Sequence, residues 1–533
     1  MSDPKLKLPP IPESEQTPLV QELLRLLLEY QKRVAELEEE IKRLKKHPGK
    51  PKIRASRMDQ EAGQDQDNDN EEKGKGSRGP QRAKTAQLSK HEERVIAPEG
   101  LPADARERGY RFKGYADYVV QDLVIEAHSV RYRLEQWQSP DGQLLKGRLP
   151  DEVKGHFGAT LKSYVLYQYH HQHVTQPLLR EQLRALGIEI SAGQLNHLLS
   201  EDHEAFHEEK ARVLEAGLQV SNHIQTDDTG ARHQGRNGYC TYIGNELFAW
   251  FESTESKSRV NFLGLLRAGR EDYVLNAGAL DYMVRHKLPR AQCDRLDEGR
   301  RFGDREQWEA YLREVGLVDP RHVRIATEGA LMGSVLEHGV AAQLGVVSDD
   351  AGQFNVFRHA LCWIHGERNI TELIPLNSTH AKHMEWVRCQ IWDLYADLKA
   401  YKTDPALQTV AFREEIEARF DELCRTRTAY QTLNERLKRM SRNKAELFQV
   451  LDDPTLPLHN NLSESDIREY VRKRKISGST RSAEGRRCRD TFASLKKTCR
   501  KLGISFWQYL RDRLSRSNQI PPLPDCIRDA ARG

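Results

Sequence analysis

Cysteine is scarce and unevenly placed: none stands before Cys240, and the eight present are mostly isolated from one another. That pattern excludes a disulfide framework and points to reduced thiols. Long hydrophobic runs are missing as well. The longest, such as LLRLLLEY, fall far short of the roughly 20 apolar residues a bilayer span needs, and the opening MSDPKLKLPPIPESEQ lacks the apolar core of a secretory signal. No membrane segment and a cytoplasmic location are therefore expected. An excess of one charge is also lacking. With 83 Lys and Arg against 79 Asp and Glu the formal net charge is only +4, so affinity for a polyanion must come from local clustering.

What is present is length and polarity. At 533 residues and 38% hydrophobic content the chain can bury at least one large core and make about two to four domains. The mean hydropathy of −0.74 leaves room for an extended portion. From Val20 to Leu44 apolar residues alternate three and four apart: Val20, Leu27, Val34 and Ile41 take the a positions of a heptad, with Leu23, Tyr30, Leu37 and Leu44 at d. This predicts a coiled coil over 18–46, hence a homodimer or higher oligomer. A linker follows over 47–100, acid-rich and then basic, with almost no large apolar residue to offset its ordering entropy. Period-two stretches such as YVVQDLVIEAHSVRYRLEQW predict a small β unit over 105–155, with a turn at Pro140–Gly142. Residues 156–220 read as a helix-turn-helix-like DNA-binding region, with a Gly187 turn and a Ser191 cap. Its second helix, AGQLNHLLSED, has no Lys or Arg, which favours packing over base reading.

From residue 221 the pattern changes to strands. HIQTDDTG, GYCTYIG and ELFAWFES form a three-stranded meander, RVNFLGLL begins a helix, and Asp227 lies on the first strand. This is the opening of an RNase H-like α/β domain, in which a second acid belongs at the end of a later buried strand. LGVV followed by Asp349 and Asp350 supplies it. The third acid is Glu464 in NNLSESDIREYVRKRK, on a helix that Asn461 or Ser463 can cap. Three carboxylates from two strands and a helix suit two divalent ions about 3.5–4 Å apart, Mg²⁺ or Mn²⁺ as a substitute, acting on phosphoryl transfer.

These blocks carry a resemblance. TDDTG, VVSDDAGQF with CWIHGER after it, and NNLSESDIREYVRKRKISGSTRS followed by FASLKKTCRKLGISFWQYL resemble the acidic blocks of bacterial insertion-sequence transposases of the IS-sixty-six family, of the DDE class, over most of Phe157 to Leu514. Carried over by position, the resemblance implies Asp227, Asp349 and Glu464 as catalytic and metal-holding acids. Because neighbours on a strand point to opposite faces, Asp228 and Asp350 are the alternatives one register away. Asp466 lies about 200° round the helix from Glu464 and is expected to pair with an Arg. The family's usual cysteine-rich, zinc-ribbon-like segment has no counterpart before Cys240, and the β unit stands in its place. Cys362 and His365 have a Cys-x-x-His spacing but no second pair, so zinc is not expected there. His365 and Arg368, one turn apart, are expected at the scissile phosphate.

Between Arg468 and Lys501 stand thirteen Lys or Arg and three acids. Such a run predicts phosphate contacts by Arg472, Lys473, Arg474, Lys475, Arg481, Arg486 and Arg487. The expected architecture is thus an RNase H-like catalytic domain over 221–369 and 456–515, a helical insertion over 370–455 and a tail over 516–533. The expected activity is Mg²⁺-dependent hydrolysis of DNA at the element's ends, then strand transfer by the 3′-hydroxyl. Partners are terminal-repeat and target DNA, with accessory proteins of the same element implied by the resemblance, in a nucleoid setting. The rival readings are a metal nuclease or resolvase of the same fold that does not join strands, and an idle transposase-derived DNA-binding protein.

Overall fold

In the computed structural model residues 91–532 are described, apart from 117, 151, 152 and 154. The coiled coil expected over 18–46 and nearly all of the expected linker lie outside the described residues. The rest is a mixed α/β structure around one five-stranded sheet. Strands β1 (Gln136–Gln138) and β2 (Leu144–Lys146) pair only with each other. Where alternation predicts a β unit over 105–155, this hairpin is the one strand pair among the described residues there. Val120, Leu123, Val124, Val130 and Trp137 stay exposed, because alternation makes a strand only where a neighbour supplies a ladder and a face to bury.

The main sheet begins with β3 (His223–Gly230), β4 (Tyr239–Gly244) and β5 (Ala249–Thr254), an antiparallel meander. A small pair, β6 (Tyr273–Val274) and β7 (Arg301–Phe302), intervenes with its helices. Then β8 (Gly345–Ser348) joins β3 in parallel and β9 (Arg358–Leu361) joins β8 in parallel, giving the order β5-β4-β3-β8-β9. β8 reads as an unbroken apolar run because both its faces are covered. On one face Ile224, Ile243, Trp250 and Val346 enter the largest core, with residues of the helices Glu204–Val220, Arg259–Leu266 and Pro320–Glu337. The last of these is capped by Asp319 with Pro320 at its first position. It approaches β6 so closely that a Cβ at Gly333 would collide with the Val274 carbonyl. The long stretch 270–338 is thereby a helical layer on this face.

The other face lies under the helix Asn461–Ser477, where Cys240, Tyr242 and Phe251 meet Ile467 and Tyr470. Beside it the helix Ala483–Lys501 runs along β5, whose outward N–H groups would otherwise be an open edge. Ser253, Phe251 and Ala249 donate their backbone N–H to Asp490, Ser494 and Thr498. The two-residue repeat of a strand edge, about 6.6 Å, nearly matches the four-residue repeat of a helix, about 6 Å, so three rungs fit.

Residues 378–442 form the helices Ser378–Thr403, Val410–Arg425 and Gln431–Arg442 around their own core. Trp363, just past β9, fills that core between Phe420 and Phe448, and its indole N–H donates to Leu447 O at 2.8 Å. Upstream, the helices Gln176–Ala185 and Ala192–Ser200 are joined through Gly187 at φ 79°, and Ser191 and Gln194 form a reciprocal capping box. Leu195, Leu198 and Leu199 of the second helix are buried. The tail expected over 516–533 is folded in part: Leu523–Ala530 is a helix, and Leu523 and Ile527 bury against Glu204–Val220.

Candidate active site

Strand register decides which acids share a face. On the parallel neighbours β3 and β8 the last paired rung is Gln225 with Val347. Asp227 and Asp349 each stand two residues further along, so both side chains lie on the face of Gln225 and Val347. Asp227 also faces Tyr242 across the antiparallel pair with β4, and the Tyr242 hydroxyl donates to Asp466 of the helix Asn461–Ser477 at 2.9 Å. The face of Asp227 is therefore the face that this helix covers. Asp228 points the other way, where Thr241 Oγ1 and Gln353 Nε2 donate to its two oxygens at 2.7 Å each. Asp350 is drawn off to an ion pair with Arg439 of the helix Gln431–Arg442.

Glu464 sits in the first turn of its helix with its side chain largely buried. The helix start is Asn460 rather than Asn461 or Ser463. Asn460 makes no side-chain cap, since its amide donates instead to Thr226 O on β3 at 2.9 Å, and its own N–H donates to Cys362 Sγ at 3.3 Å. That spends the capping group on pinning the helix to the strand of Asp227. Arg468, one turn on, donates to Glu464 Oε2 at 2.9 Å, and Arg368 and His365 lie 3.5 Å from Oε1. His365 and Arg368 thus gather on Glu464, placed there by the helix Trp363–Thr371.

The electrostatics are those of crowded carboxylates. Burial pushes the Asp227 carboxyl up to about 7. The Asp228 N–H it accepts pulls the other way, and the charges of Asp349, Asp228 and Glu464 add to the rise. Asp228 is raised by burial too, against its two hydrogen bonds. Burial lowers His365 while Glu464 opposes it. Among the described residues no group of three or more His, Cys, Asp or Glu is arranged as it stands to hold a metal ion. The donor chemistry nonetheless fits a hard cation: Asp227 and Asp349 form no ion pair among the described residues, and the Asp349 charge helps raise Asp227.

Asp466 corrects the expectation of an Arg partner. It is buried and bound by Lys497 at 3.2 Å, Lys501 at 2.9 Å and the Tyr242 hydroxyl. Glu469 takes Lys496 and Lys497 on the same helix face, the latter at 2.6 Å. The lopsided basic run is therefore divided, part of it being internal glue. Lys473 belongs to that part: it is buried, lies over the Tyr169 ring at 3.5 Å and donates to Tyr169 O at 2.7 Å. Burial with Arg489 and Lys496 nearby lowers its ammonium to about 7, so the structure removes Lys473 from the phosphate-facing set. Arg487 is occupied by a bidentate pair to Glu204 at 2.8 Å. Arg474 is half-buried against Thr229. Arg472, Lys475 and Arg481 are exposed, and Arg486 is half-exposed.

Several contributors had no sequence signal. Ser348, at the end of β8, donates to Asp349 O at 2.6 Å and contacts His359 Nε2 at 2.8 Å, while His359 Nδ1 reaches Glu446 at 3.3 Å. A Ser, His and carboxylate in line suggest a nucleophile, but Ser348 is fully buried, so the chain acts as a tether for the Asp349 turn. Ser348 and His359 are adjacent only through strand pairing, and Glu446 is 87 positions further on. A cap was expected at Asn461 or Ser463, whereas the helix begins at Asn460, whose amide is spent on Thr226.

With this geometry in place, comparison with known proteins adds one decisive match. Residues 342–487 match the family described as "Transposase IS66 family", a span running from just before β8 through Asp349, His365, Arg368 and Glu464 to Arg487. The chain belongs to the IS66 transposase family. A relative named "Uncharacterized protein y4jO", from Sinorhizobium fredii (strain NBRC 101917 / NGR234), is 44% identical over 317 residues, which are 58% of this chain and 98% of the relative. No solved structure matches. The IS66 match supports a transposase role and so action on DNA. No helix among the described residues is long and apolar enough to cross a membrane.

Proposed function

We propose that the protein is a DDE transposase with an RNase H-like catalytic domain, hydrolysing the phosphodiester at the ends of an insertion sequence and joining the freed 3′-hydroxyl to target DNA. One observation carries the reading: Asp227 and Asp349 share a sheet face at matched positions of two adjacent parallel strands, and the helix bearing Glu464 lies across that face. The meander, helix and two added parallel strands support the fold assignment. Asp227, Asp349 and Glu464 would hold Mg²⁺, or Mn²⁺ in its place. The chemistry bound ions supply there is positive charge for the attacking and leaving oxygens.

The chain's own residues do the rest. Strands and a pinned helix fix the carboxylates on rigid elements, so little reorganisation is needed. Arg368 and His365 bring donors and charge to the place beside Glu464 where a phosphate oxygen would stand. Arg472, Lys475 and Arg481 meet flanking phosphates, and the coiled coil joins two chains for two element ends. The test is incubation of the full chain with Mg²⁺ and a duplex carrying the element's terminal repeat. Cleaved ends joined to a second DNA are expected. Nicks that never become joined products would make the protein a nuclease.

A further inference from the structure

The tip of the β3–β4 hairpin, ARHQGRNG over 231–238, plays no part in the acid cluster, yet it is fastened to the turn after the Glu464 helix. Thr480 N donates to Arg232 O at 3.3 Å, Gln234 N donates to Thr480 O at 2.9 Å, and His233 Nδ1 contacts Thr480 Oγ1 at 2.9 Å. His233 forms a parallel bridge with Thr480 and an antiparallel bridge with Arg236. Two loops nearly 250 residues apart thus make a single platform. Arg232, Arg236 and Arg481 are exposed on it and Arg486 is half-exposed. None of the four guanidiniums forms an ion pair among the described residues. Arg486 is close enough to His233 to help burial lower its pKa, and Glu255 is the acid that opposes this. The backbone hydrogen bonds fix the loops that carry these four arginines, and Arg232 also donates to Gly235 O at 3.0 Å, so four guanidiniums without an ion pair are presented together to a polyanion.

We propose that this platform is a second phosphate grip, in which Arg232 and Arg236 of the hairpin join Arg481 and Arg486 on the backbone of the DNA being cut. The inference rests on the transposase reading and adds residues and a position to it. Arg232 lies five residues beyond Asp227, about 17 Å along an extended strand. With the duplex running along β3, a rise of about 3.4 Å per nucleotide puts the grip about five base pairs from the reacting phosphate.

The test compares the full-length protein with an Arg232→Gln, Arg236→Gln double variant on duplexes of graded length, measuring affinity against salt. Two lost phosphate contacts should lower the slope of log affinity against log salt by about 1.8. The loss should appear on duplexes extending well past five base pairs on both sides of the cleavage position, and vanish when the side lying over the hairpin is cut to three. An Arg232→Lys, Arg236→Lys variant should keep most of the slope, since a phosphate contact needs the charge. An unchanged slope in the Gln variant on long duplexes overturns the grip and leaves the transposase reading standing. A Lys variant as impaired as the Gln variant overturns it too, because the loss is then of shape rather than charge. Wild-type protein that binds no duplex overturns both.

Discussion

Lys473 and Arg472 are neighbours in a run of four basic residues, yet one is buried against a tyrosine ring and the other faces solvent. A helix turns about 100° per residue, so a run cannot present one face, and burial sorts it. If Arg472 and Lys475 meet phosphates, replacing both by Gln should lower the salt slope of duplex binding by about 1.8, equally on specific and random DNA. Lys473→Met should leave the slope unchanged. Equal effects from the two variants, read by fluorescence polarisation across a salt series, would refute the sorting. At this scale the sequence was legible where residue type carries the chemistry: acids at strand ends and a carboxylate in a helix's first turn. It was illegible where a charge's fate depends on the opposite element, as with Asp466 and its lysines, Lys473 and the tether of Ser348, His359 and Glu446.

The helices Asn461–Ser477 and Ala483–Lys501 are held together by buried charge. Burial raises the Glu469 carboxyl, but Lys496 and Lys497 more than cancel this and hold it well below the ordinary range. A group depressed in the folded state adds stability that is present above its unfolded value, about 4.3, and is lost as pH falls below it. Melting temperature should therefore drop steeply below about pH 4.3, and Glu469→Gln should flatten that dependence. At neutral pH the same variant leaves the buried Lys496 without its carboxylate, while Lys497 keeps Asp466, and should cost about 3–5 kcal/mol. A variant with wild-type acid dependence would show that the pair does not set it. The capped sheet edge gives an independent check: Ser494→Ala removes the acceptor for Phe251 N–H and should cost about 1–3 kcal/mol by denaturant unfolding. Cost near zero would mean that water replaces the serine. Elements were legible where period and length agreed, as in HIQTDDTG and RVNFLGLL. Residues 105–155 show the limit, for among the described residues their alternation found a partner only at the hairpin of β1 and β2.

For the whole molecule, the chain assembles one candidate site from acids 237 positions apart, with a helical layer on one sheet face and a separately cored helical body between the second and third acids. The heptad spacing over 18–46 predicts assembly of two chains, so a peptide of those residues should be helical and dimeric in a concentration-dependent way. Val34→Lys with Leu37→Lys should make it monomeric. A wild-type peptide that sediments as a monomer at high micromolar concentration would exclude the coil. The meander, the helix after it and the later buried strand were legible, whereas β9 and the order of the strands were not, because pairing between distant segments leaves no local pattern. The folded C-terminal helix was not, because its two apolar anchors, Leu523 and Ile527, are too few to read as a periodic segment.

The central claim is that the face of β3 under the Glu464 helix, and not its reverse, is where DNA is cut. The most direct measurement is Mg²⁺-dependent cleavage and joining of end-containing DNA by full-length Asp227→Asn and Asp228→Asn, each checked for unchanged melting temperature and DNA affinity. The account predicts that Asp227→Asn falls to background while Asp228→Asn, whose carboxylate is occupied by Thr241 and Gln353 on the other face, keeps much of its activity. An inactive Asp228→Asn beside an active Asp227→Asn would contradict it.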